Sequence, residues 1–100
     1  MSRNELTFSG VIAQLEPLRY TPAGLPLLTF ELEHQSQQIE AGETRTVNLK
    51  LPVLALGEIA MQLAEIPRDQ AVVVRGFLTR RTVKSSVVVL HATAWKKELE

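Results

Sequence analysis

A small, curved, all-β barrel of five strands, with one short helix between the third and fourth, is the fold class this sequence predicts. Three observations carry it: apolar and polar residues alternate in five short runs, glycines interrupt the first and fourth of them, and one segment repeats its apolar residues at helical spacing. One hundred residues without a cysteine make one domain, 1–100, large enough to bury a modest core without disulfides.

The first run, Glu5 to Ala13, sets Leu6, Phe8, Gly10 and Ile12 on one side and Thr7, Ser9 and Val11 on the other. That period of two is the mark of a half-buried strand, and Gly10 in its middle marks a bulge or sharp bend where a small barrel turns a corner. The hexapeptide Arg19-Tyr20-Thr21-Pro22-Ala23-Gly24 then reverses the chain, because Pro22 pre-sets φ and Gly24 tolerates positive φ. In the second strand Leu28, Phe30 and Leu32 alternate with Thr29, Glu31 and Glu33, and the two strands form a hairpin.

From His34 to Thr44 the chain is polar, with no apolar period, and predicts a long loop around Ala41-Gly42. The third strand, Arg45 to Leu51, opposes Val47, Leu49 and Leu51 to Thr46, Asn48 and Lys50, and Pro52, lacking an N–H, ends it. Between Gly57 and Pro67, Ile59, Ala60, Leu63 and Ala64 recur at helical spacing; a helix of about two turns here plugs one end of the barrel. Gln70 to Leu78 is the fourth strand, with Gly76 at a point of curvature. Thr79 to Ser86 reads as a loop, Val87 to Trp95 as the fifth strand, and Lys96 to Glu100 as a fraying charged tail. This order of elements matches the oligonucleotide/oligosaccharide-binding (OB) fold.

Acids and bases balance at eleven each, which argues against a protein that coats polyanions by bulk charge. Their placement is uneven: residues 1–66 sum to −4, residues 67–100 to +4, and Arg75 to Lys97 holds six bases and no acid. A basic surface patch of the kind that binds phosphates is therefore expected, although cations also guard sheet edges. Apolar runs reach only four residues, and the N-terminus is polar, so neither a membrane span nor a signal segment is expected and the cytoplasm is the expected compartment. Catalysis has little support: the two histidines, His34 and His91, lie far apart, Asp69 is the single aspartate, and the glycines occur singly. No cofactor is expected.

Asn4-Glu-Leu-Thr-Phe-Ser-Gly-Val, Leu18-Arg-Tyr-Thr-Pro-Ala-Gly and Leu28-Thr-Phe-Glu-Leu-Glu-His together resemble the opening of the bacterial single-stranded-DNA-binding protein family. The stretches Phe30 to Ser36, Glu40-Ala-Gly, Leu51-Pro-Val-Leu-Ala-Leu-Gly, Gly76-Phe-Leu and Val89-Leu-His-Ala are similar to smaller members of that family that serve replication restart, without the long acidic tail of the larger ones. The resemblance implies a homodimeric, non-enzymatic accessory that binds single-stranded DNA and links it to a primosomal helicase and a helicase-loader. It also implies dimerisation through the first strand, across Thr7, Ser9 and Val11.

Single-stranded DNA needs cations along its phosphates and flat side chains under its bases. The candidate DNA-binding residues are Arg19, Tyr20, Lys50, Arg75, Arg80, Arg81 and Lys84. Phe8 and Phe30 take core-facing positions; Phe77 shares the parity of Arg75 and is open to either burial or exposure; Trp95 is either a packing cap or a base platform. Relatives commonly carry an outward aromatic in the third strand where this chain has Asn48, so weak, salt-sensitive binding is expected. A competing expectation is a protein-interaction adaptor whose basic loop, Arg80 to Lys84, docks an acidic partner.

Overall fold

Where apolar residues recur every second position the chain forms strands, and the one helical stretch forms a helix. The computed structural model describes residues 1–99, in the order β1 (Leu6–Ala13), β2 (Arg19–Tyr20), β3 (Pro26–Glu40), β4 (Glu43–Leu56), α1 (Glu58–Ala64), β5 (Ala71–Arg80) and β6 (Val88–Lys97). Strand order is β1-β5-β6-β4-β3-β2, and a further β1–β3 pairing closes five of the strands into a barrel. β4 and β6 run parallel; the other pairs are antiparallel. The sixth, unpredicted strand is β2, two residues of the turn segment that pair with Leu27 and Pro26 at the rim. Discounting β2, the helix falls between the third and fourth strands, as the spacing predicts.

Inward residues from every wall make one core: Ile12, Leu28, Phe30, Leu32, Val53, Val72, Val74 and Leu90 are all buried. Helix α1 closes one end by burying Ala60 and Leu63. Gly57 precedes it with φ 82° and donates its N–H to the Pro26 carbonyl at 2.9 Å, tying the helix entry to β3. Both mid-strand glycines sit where backbones nearly touch: a Cβ at Gly10 would lie 2.5 Å from the Glu33 carbonyl oxygen, and one at Gly76 would collide with that of His91. A register shift between Arg75 and Gly76 bends β5 at that point.

Four boundaries differ from the sequence expectation. The segment from His34 to Thr44 is not a loop: β3 and β4 pair without interruption out to Glu40 and Glu43, forming an arm that turns at Ala41-Gly42. Pro52 does not end its strand. It sits opposite Glu31, and β6 joins β4 only from Val53, so no ladder bond on that side is lost. At the other end Thr79 and Arg80 belong to β5, and Lys96 and Lys97 pair with Val73 and Val72 rather than fraying. Among the described residues no helix is long and apolar enough to cross a membrane.

Candidate nucleic-acid interface

Closure of the barrel sets the loops after β1 and β5 on two sides of the outer face of β3, β4 and β6. Between them runs a groove of about 550 Å³, with Arg19 from the first side and Arg81 from the second. Strand alternation supplies its floor: Thr29, Glu31, Pro52 and Leu54 point outward because Leu28, Phe30, Val53 and Ala55 point into the core. Glu16 and Glu31 also line it, so the groove is of mixed charge rather than uniformly basic. The Thr29 hydroxyl donates to the Glu16 carboxylate at 3.4 Å. Among the described residues the single ion pair joins Arg45 to Glu40 on the arm, at 2.6 Å; neither Arg19 nor Arg81 is in one.

The register carries the floor sideways. Thr29 lies opposite Leu54, Leu54 opposite His91 and His91 opposite Phe77, one row across β3, β4, β6 and β5. The Phe77 and His91 rings lie 5.2 Å apart, tilted by 33°, and Phe77 is 40% exposed. Phe77 is thus an outward aromatic, one of the two outcomes its parity allows.

The expected cations do not all converge. Lys50 stands opposite Glu33 in a neighbouring cleft with His34 and Asn48. Arg75 lies opposite Thr7 and Ala94, in a hollow shared with Trp95 and Lys96. Arg80 ends β5 opposite Val88, and Lys84 is exposed in the loop that follows. Arg80 and Arg81 are chain neighbours at a strand end, and of the two only Arg81 lines the groove. Tyr20, 63% exposed, stands opposite Pro26 at the rim.

Two aromatic groups have structural work. Trp95 packs against the core and donates its indole N–H to the Gln62 side-chain oxygen of α1 at 2.8 Å, so it caps the barrel. His34 stacks on Phe8 with ring centroids 4.2 Å apart, and its Nδ1 donates to the Ser9 carbonyl at 2.7 Å. Sequence reasoning selected only Arg19 and Arg81 of the groove residues; it passed over His91 and Leu54 among others, which only the cross-strand register brings beside the arginines.

Comparison with known proteins agrees with this fold. A family model described as "another single-strand binding protein family" matches residues 4–94. The chain is 40% identical over 88 residues to the replication restart protein PriB of Bordetella pertussis, covering 88% of this chain and 82% of that one. It is 34% identical over 95 residues to the PriB of Erwinia tasmaniensis, covering 92% and 90%. Among solved structures, PriB from Ralstonia solanacearum superposes with a TM-score of 0.87 at 28% identity, covering 98% of this chain and 100% of that one. The single-stranded DNA binding protein from Thermus aquaticus does so with a TM-score of 0.75 at 27% identity, covering 97% of this chain and 50% of that one. By sequence and by fold, the chain belongs to the single-strand-binding protein family, within its replication restart PriB branch.

Proposed function

We propose that this chain binds single-stranded DNA along the groove between Arg19 and Arg81, as a non-enzymatic accessory of replication restart in the cytoplasm. The observation that carries this reading is the placement of two guanidinium groups on two sides of the outer face of β3 and β4. In OB folds this face and its flanking loops hold oligonucleotides. Among the described residues neither arginine is committed to a carboxylate ion pair, so both are available to phosphate oxygens. Glu16 and Glu31 moderate the attraction and keep binding weak and salt-sensitive. Each groove arginine that meets a phosphate contributes about 0.7 to the fall of log affinity against log salt, so Arg19 and Arg81 together give a slope near −1.4. Fluorescence anisotropy of labelled single- and double-stranded oligonucleotides across a salt series tests this. Submicromolar binding that survives physiological salt, or a preference for duplex, contradicts it.

The same reading includes a homodimer and contacts with a primosomal helicase and a helicase-loader. β1 pairs with β3 only over Val11–Ala13, and His34 takes the Ser9 carbonyl, so the edge of Leu6–Phe8 that faces away from β5 carries no ladder and can pair with its copy about a twofold axis. A monomer mass in sedimentation at micromolar concentration removes the dimer. The adaptor reading has one observation in its favour: Val83, Val87 and Val88, 80%, 44% and 44% exposed, interleave with Arg81 and Lys84 around the loop after β5. Alanine at Arg80, Arg81 and Lys84 separates the two, because loss of helicase contact with DNA binding intact supports the adaptor.

A further inference from the structure

We infer that Phe77 and His91 form a stacking platform that takes one unpaired base from the strand lying in the groove. This rests on the proposed binding of single-stranded DNA and names the part of the surface that reads the base. The nearest outward neighbours of Phe77 along β5 are polar: Arg75 and Thr79 flank it at the same parity, and all three are exposed. An aromatic ring at such a position leaves apolar surface in water, and the core cannot claim it, because Gly76 and Leu78 take the inward parity. His91 covers part of that ring at 5.2 Å and itself lines the groove with Arg19 and Arg81, so ring and groove are one continuous surface.

Distances fit the substrate. Leu54 on the groove floor and Phe77 are two strand spacings apart, about 10 Å, within reach of one nucleotide step with its base turned outward. Arg81, beyond the end of β5, lines the groove together with His91, so a phosphate held there lies on the same continuous surface as the ring that takes the base. A protein partner fits less well: one exposed ring flanked along β5 by Arg75 and Thr79 is a small apolar target, whereas base stacking needs only a ring face.

The test compares binding of a labelled oligo(dT) with that of an equally long oligomer of abasic deoxyribose phosphates, using the wild-type chain, Phe77→Ala and Phe77→Leu. Leucine retains apolar bulk but has no ring, so it keeps the test open should the alanine variant fold poorly. Both variants are expected to lose at least about fivefold in affinity for oligo(dT) and to bind the abasic oligomer as the wild type does. A leucine variant that holds oligo(dT) as tightly as the wild type, or that weakens equally on both oligomers, overturns the platform and leaves the groove reading standing. A wild-type chain that binds neither oligomer overturns both.

Discussion

Gly76 packs backbone to backbone against His91, so closely that a methyl group at 76 would run into the His91 carbonyl oxygen. The contact lies at the register shift that bends β5, beneath the strand position from which His91 meets both the groove and Phe77. Carbonyl and glycine both belong to the main chain, so neither can move aside by changing rotamer. Gly76→Ala is therefore expected to destabilise the fold by about 2 kcal/mol or more, a drop in melting temperature of roughly 10 °C. It also displaces His91 and weakens single-stranded DNA binding in the fraction that remains folded. Thermal denaturation and anisotropy on the same variant check the two effects together; an unchanged melting temperature would sink the close-contact argument.

Charge removal in the groove separates contacts from bystanders. Arg19→Gln and Arg81→Gln are each expected to flatten the salt dependence of DNA binding by about 0.7 in slope, and the double variant by about 1.4. The two side chains come from opposite sides of the groove and are not joined to a common carboxylate in an ion pair, so their effects add. Arg75→Gln, in the separate hollow with Trp95, moves the slope less. Equal slopes for all of these variants would mean that the arginines do not touch phosphate.

Trp95 is the aromatic whose sequence position beside Lys96 and Lys97 best imitates a DNA-binding residue, and the structure gives it a different role. Its indole N–H is committed to Gln62 at 2.8 Å and its ring packs on the core. Trp95→Phe is expected to lower stability by about 1 kcal/mol, through the lost hydrogen bond, and to leave DNA affinity within about twofold of wild type. Chemical denaturation and anisotropy distinguish this cap from a base platform.

What was legible in the sequence follows from what is buried. Leu28, Phe30 and Leu32 alternate because one side of β3 faces the core, and Gly10 and Gly76 stand out because close backbone approach leaves them no alternative. Beyond His34 the same strand projects as an arm with exposed residues on both faces, and an apolar period has nothing to report there. Arg19 and Arg81 were legible as cations, but their meeting in one groove depends on strand order. The pairing of His91 with Phe77 depends on a one-residue register shift that leaves no mark on composition. Lys50 and Arg75 show the limit from the other side: outward parity is readable, yet parity does not say which of several outer faces a residue joins.

The tip of that arm offers the last prediction. Ala41 and Gly42 connect Glu40 to Glu43 with φ of 53° and 81°, the two positive values that a tight two-residue hairpin turn demands. Glycine accepts such a φ freely; alanine does not, because its Cβ crowds the carbonyl oxygen, at a cost of about 1 kcal/mol. Asparagine tolerates the left-handed region better than any other residue with a side chain apart from aspartate, so Ala41→Asn relieves the strain without altering the register. The neighbouring Arg45–Glu40 ion pair, with both side chains 65% exposed, contributes little beside it, and Glu40→Gln should change almost nothing. Because the arm lies outside the core, the gain appears as local rather than global protection. Amide hydrogen exchange between Gln37 and Thr46 is expected to slow by up to about fivefold in Ala41→Asn, while exchange at Leu32 and Val74 stays unchanged. Equal exchange at the arm in both chains would show that the turn carries no strain to relieve.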